Sequence, residues 1–192
     1  MNKSIRIKYL SLIVGSIAYL CSSGRYNLEI MAWIWPFFYL VFLDTFKRKR
    51  DIILLLLSMG LMGLIKWYGA AASTVFENCL VGIALGLILA IPLMIYYVIN
   101  KKYKGLTSIL LLPSLYAIEE VLMNISPISM LGNIASTQAS FTLFLQSASV
   151  VGSVGLTFMI IGCSSMLFYL YQHKNKEGLK ALIMYSVVFM LC

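Results

Sequence analysis

The sequence predicts an all-α, polytopic transmembrane protein, a helical bundle of about seven spans, and three observations carry that prediction. Hydrophobic residues make up 61% of the 192 residues and charged residues only 11%, where soluble chains carry about a quarter charged residues. The apolar residues fall into runs of the length that crosses a bilayer, about 17–25 residues. Basic residues punctuate every second connection between these runs, the pattern that marks cytoplasmic loops.

The first span is expected over 6–23, behind Lys3, Arg6 and Lys8. A cleaved leader would need small residues before the cut, and Tyr19 and Leu20 stand before Cys21, so the span is retained. The second is expected over 28–46 and the third over 52–70, separated by "KRKR" at 47–50. Asp44 and Asp51 flank that basic run and read as its local ion partners. Lys66, beside Trp67 and Tyr68 near the far end of the third span, reads as a snorkelling lysine in an aromatic belt.

The fourth span is expected over 76–99 and the fifth over 105–123, with "KKYK" at 101–104 between them. Pro92 and Pro113 lie inside these runs as kinks or helix starts. An uncharged stretch, "NISPISMLGNIASTQAS", leads to a long sixth span over 143–171. Gly152 and Gly155 sit near its start, so its first turns should be bent or interfacial. The glycine pairs Gly60/Gly63, Gly82/Gly86 and Gly152/Gly155 otherwise suit close helix packing.

A seventh span is expected over 179–192, after Lys174, Lys176 and Lys180. Its 14 residues give about 21 Å of helix at 1.5 Å per residue, against a hydrocarbon core of about 30 Å. That shortfall suggests a truncated protein or one half of a split one. The whole sequence reads as a single membrane domain, 1–192.

Of the 15 basic residues, only Arg25 and Lys66 fall on the opposite connections. The positive-inside rule therefore puts the N-terminus in the cytoplasm and the chain end outside. The net charge of +8 is then a topology signal with attraction to anionic headgroups, and nucleic acid is not needed to explain it.

Motifs of soluble enzymes are absent: there is no P-loop, no G-x-S-x-G and no H-E-x-x-H. Cys21, Cys79, Cys163 and Cys192 are scattered and His173 is the one histidine, so neither a metal nor a cofactor is expected. Intramembrane acids carry more weight, because charge in lipid is costly and tends to be functional. Glu119 and Glu120 are adjacent and so point about 100° apart on a helix. One can reach the interface while the other enters the bundle, and they are no catalytic dyad. A CAAX-type intramembrane protease would need E-E-x-x-x-R and further histidines; Asn124 stands at the arginine position.

The order of features resembles the N-terminal membrane domain of apolipoprotein N-acyltransferases, which add the third acyl chain to bacterial lipoproteins. "YNLEIMAWIWPFFYLVFL" (26–43) is similar to the family's Trp-Pro-rich second span, and "LIKWYGA" (64–70) to the end of its third. "LLPSLYAIEEVL" (111–122) places Glu120 on the family acid, seven residues after Pro113. "SPISMLGN" resembles the following loop through Pro127 and Gly132. "LQSASVVGSVGLTF" (145–158) is the nearest match, carried by Gln146, Gly152, Gly155 and Phe158.

Departures are also plain. The arginine that follows the family glutamate is replaced by Met123 and Asn124, and the aromatic residues of the outward loop by Ile128 and Asn133. The nitrilase-like domain with its Glu-Lys-Cys triad is not in these residues, so no catalytic residue is assigned and the chain alone is expected to be inactive. The resemblance implies a multi-pass protein of the bacterial cytoplasmic membrane that meets phospholipid and diacylated apolipoprotein, with a separately encoded nitrilase-like domain as a further partner. It implies substrate-binding roles for Glu120, Trp67, Gln146 and Asn133. A non-enzymatic membrane partner or degenerate paralogue, and a small transporter, are the alternatives.

Overall fold

The computed structural model describes residues 3–22, 26, 28–46, 48–69, 74–102, 106–126 and 133–173. Over these residues the chain is all helical: α1 (Lys3–Cys21), α2 (Glu29–Asp44), α3 (Lys49–Trp67), α4 (Val75–Asn100), α5 (Leu106–Ile125), a 3-10 turn at Ala135–Gln138 and α6 (Thr142–His173). Six helices thus lie over the first six apolar segments. The seventh, 179–192, lies outside the described residues. Three stretches among those described are long and apolar enough to cross a membrane: Val75–Asn100, Ser108–Ile125 and Gln146–Gln172. The shorter α2 has 16 residues, while α1 and α3 carry charges within their bounds.

The chain divides into two compact units, Met1–Met94 and Ile95–Cys192. In the first, α1 packs against α2 and α3. Its packing is inverted relative to a water-soluble helix. Ser11, Ser16, Ala18, Tyr19 and Ser22 are buried, while Leu10, Ile13 and Ile17 are exposed. Small residues facing neighbouring helices and aliphatic residues facing outward are what lipid, itself apolar, selects. On α3 the division is as clean: Ile53, Leu57, Leu61 and Ile65 form an exposed stripe, and Asp51, Leu55, Met59 and Lys66 are buried.

An aromatic ladder fills the α1–α2 contact. Tyr19 meets Trp35 edge to face at 5.3 Å, and Trp35 meets Tyr39 likewise at 5.8 Å. The Tyr39 hydroxyl lies 3.2 Å from Ser16 Oγ and 3.5 Å from Ser58 Oγ, so its polar end is satisfied inside the apolar unit. Asp51 is fully buried near the start of α3 and pairs with Lys8 of α1 at 2.6 Å. Its other oxygen accepts from the Arg48 backbone N–H at 3.0 Å, capping the helix. Asp51, read from sequence as a local partner of the neighbouring basic run, also ties α3 to α1.

At Gly63 the backbones of α3 and α4 touch. A Cβ there would lie 2.5 Å from the Gly82 carbonyl oxygen and 2.7 Å from Gly86 Cα. Only glycine allows that approach.

In the second unit α5 packs against α6, and the 3-10 turn packs on α6 as well. Ile109, Leu112, Tyr116 and Glu120 share the buried face of α5, at the spacing of one helical side. Pro113 lies eight residues into α5 without ending it. The bend expected near the start of the sixth segment is present. Gly152 adopts φ 69°, ψ 176°, dividing α6 into helical stretches at 142–151 and 153–173. Gly155 is needed for a different reason, since a Cβ there would lie 2.5 Å from Val151 Cβ. Gly152 turns the chain, and Gly155 leaves room for the side chain that precedes the turn.

Candidate functional site

Two buried polar constellations stand out, one in each unit. In the second unit, Glu120 is 3% exposed, one turn beyond Tyr116 on the face of α5 that meets α6. The hydroxyl of Thr157, itself fully buried on α6, donates to Glu120 Oε2. Glu120 Oε1 is buried with no hydrogen-bond partner among the described residues. Leaving such an acceptor unpaired costs about 1–3 kcal/mol, so this oxygen is poised for a donor such as an ammonium, hydroxyl or amide N–H. The neighbouring Glu119 is only half-buried. The two acids therefore part company as adjacent helical positions must.

Thr157 reaches Glu120 because the 153–173 stretch of α6 begins afresh after Gly152. Sequence reading missed this threonine: it lies 37 residues away, and nothing local distinguishes it from other small polar residues of α6. Asn133 has a structural role. Its Oδ1 accepts from the Ala135 backbone N–H at 2.7 Å and its carbonyl from Ser136 Oγ at 2.6 Å, which opens the 3-10 turn in the manner of an Asx turn. Gln146 is exposed, and its backbone carbonyl accepts from Ser149 Oγ at 2.7 Å. Among the described residues no hydrogen bond joins either residue to Glu120.

Trp67, the remaining residue singled out from sequence, belongs to the first unit and ends α3. It is half-buried, and its indole Nε1 is buried without a partner among the described residues. Lys66 beside it is 8% exposed and does not snorkel. Its ammonium turns inward, donating to the Tyr19 carbonyl at 3.2 Å and to Ser22 Oγ at 2.9 Å. The same nitrogen lies 4.2 Å from the Tyr19 ring centroid and 5.6 Å from that of Trp67. A cation over aromatic faces is stabilised by their quadrupoles. A lysine at the end of α1 also complements the negative end of that helix's dipole.

Among the described residues neither constellation contains an activated nucleophile with its base. No group of three or more His, Cys, Asp or Glu residues among those described could hold a metal ion.

Comparison with known proteins gives one family. The model described as "Apolipoprotein N-acyltransferase N-terminal domain" matches residues 15–166. That range takes in Lys66, Trp67, Glu120, Asn133, Gln146 and Thr157, and the turn at Gly152. A search of curated proteins finds no match.

Proposed function

Because the chain belongs to the apolipoprotein N-acyltransferase N-terminal domain family, we propose that it serves N-acylation of bacterial lipoproteins as the membrane part of the enzyme. Phospholipid is the acyl donor and a diacylated apolipoprotein the acceptor in this reading. The chain crosses the bacterial cytoplasmic membrane seven times, from a cytoplasmic N-terminus to the outer face. The alternation of basic connections in the sequence supports that orientation. Acyl transfer itself is assigned to a nitrilase-like domain outside these 192 residues.

The observation that carries the reading is the family match over 15–166. The buried carboxylate of Glu120, with one oxygen unpartnered, supports a role for it in binding the acceptor. That oxygen suits the primary amine of the acceptor's N-terminal cysteine, the atom to be acylated. Thr157 holds the carboxylate in place from α6. Within these helices Glu120 is a binding group and not a nucleophile.

The test is mass spectrometry of lipoprotein N-termini from cells that carry the gene, lack it, or express Glu120→Gln at equal membrane abundance. The reading expects triacylated N-termini to fall on deletion and to fall at least several-fold with Glu120→Gln. Unchanged acylation after deletion would overturn it. Reporter fusions in the connections at 47–50, 101–104 and 174–180 check the orientation, all three being expected on the cytoplasmic side.

A further inference from the structure

Lys66 is a buried cation without a counter-anion among the described residues. Its ammonium has three N–H bonds and makes two hydrogen bonds, to the Tyr19 carbonyl and the Ser22 hydroxyl. The pair Lys8 with Asp51 lies at the opposite end of α3. Helix ends offer only about half a charge each, and a buried charge lacking a full partner is expensive.

The indole N–H of Trp67 compounds the imbalance. It too is buried with no acceptor among the described residues, on the residue next to Lys66 and within cation–π reach of its ammonium. The dipole at the end of a helix accounts for a lysine there but leaves the indole N–H unexplained. An ammonium with one N–H beyond its two hydrogen bonds and an indole N–H without an acceptor among the described residues lie at one helix end, an arrangement that suits an oxyanion. The surface around them says which kind. Ile65 and Leu61 continue down α3 as part of its exposed aliphatic stripe, and Tyr68 is exposed just beyond Trp67. Acyl chains lie along such a stripe, and Tyr and Trp sit at headgroup level.

We propose that Lys66 and Trp67 form a binding site for the phosphodiester of a phospholipid headgroup. The ammonium supplies the charge and its third N–H, the indole supplies the second donor, and the Ile65–Leu61 stripe takes an acyl chain. Lysine is a common phosphate ligand as a point charge. The site uses none of the residues around Glu120, and it requires neither acylation nor that the bound lipid gives up a chain.

The experiment is native mass spectrometry of the detergent-purified full chain titrated with phosphatidylglycerol, with diacylglycerol of the same chains, and with inorganic phosphate. Wild type should retain one phosphatidylglycerol, binding it at least tenfold tighter than diacylglycerol. Lys66→Gln should lose about tenfold in affinity, and Trp67→Phe, which keeps the ring and removes only the N–H, should lose several-fold. Lys66→Arg should retain binding. Inorganic phosphate bound as tightly as the lipid, with the same variant profile, would overturn the lipid and leave a soluble oxyanion as the ligand. Equal retention of diacylglycerol and phosphatidylglycerol, or unchanged affinity in both Lys66→Gln and Trp67→Phe, would overturn the site. Should Lys66→Gln fail to insert, Trp67→Phe decides alone. Because lipoprotein acylation is not read in this assay, its outcome and that of the acylation test are independent.

Discussion

Gly60 and Gly63 lie on the same helix three residues apart, and replacing each with alanine should have opposite effects. At Gly63 the added Cβ would stand 2.5 Å from the Gly82 carbonyl oxygen, 2.7 Å from Gly86 Cα and 2.9 Å from Gly86 N. All three are backbone atoms, so no side chain can swing aside. Optimal non-bonded separations are about 3.5–4.0 Å, and opening a gap of about 0.5–1 Å forfeits a quarter to a half of the attraction along the seam. Overpacking of this kind costs about 1–3 kcal/mol, from which alanine's better helix propensity returns about 1 kcal/mol. At Gly60 the nearest atoms to a new Cβ are side-chain carbons of Ile83 and Leu87 at 3.7 Å, an ordinary contact. There the propensity gain stands, and Gly60→Ala should be neutral or up to about 1 kcal/mol more stable. The two variants should therefore differ by about 2 kcal/mol in denaturant titrations of the protein in mild detergent, followed by helical circular dichroism. Equal stability of Gly63→Ala and Gly60→Ala would refute the backbone seam between α3 and α4.

Asp51→Ala should strand Lys8 in the first unit and cost about 3–5 kcal/mol in the same titration, whereas a Lys8→Met, Asp51→Leu double variant should recover most of the loss. Gly152→Ala should cost about 1–3 kcal/mol from its positive-φ, extended backbone alone, since nothing lies within 4 Å of the added Cβ. Gly155→Ala should also lose stability, and it should lose less in a chain that already carries Val151→Gly, which removes the Cβ it would meet; an equal loss in both chains would show that the Val151 contact is not what requires glycine.

The helices were legible because their signal is local. Apolar runs of bilayer length locate α1 to α6, and the G-x-x-G at Gly152 and Gly155 announces the bend in the last. The separate fates of Glu119 and Glu120 also follow from a local rule, the angle between neighbours on a helix. Partners were not legible, because each is chosen across the fold. Lys66 was expected at the interface and instead caps α1 through the carbonyl of Tyr19, 47 residues away. Asp51 lies beside its basic neighbours, and its pairing with Lys8 on another helix could not be read there. Nothing near Glu120 identifies Thr157. A side chain's type limits the chemistry available to it, but packing decides which distant atom comes within reach.

Two lysines fasten α1 to α3, one near each end: Lys8 reaches Asp51 at the start of α3, and Lys66 returns from its far end to the end of α1. The helices run parallel, and a slide of one turn, about 5.4 Å, would strand both cations at once. The pair of anchors also sets an order on biosynthesis. When α1 leaves the ribosome it carries a lysine whose carboxylate has not yet been made, and the last of its anchors follows only with the final turn of α3. Until then the register of α1 is provisional, and α3 fixes it from both ends.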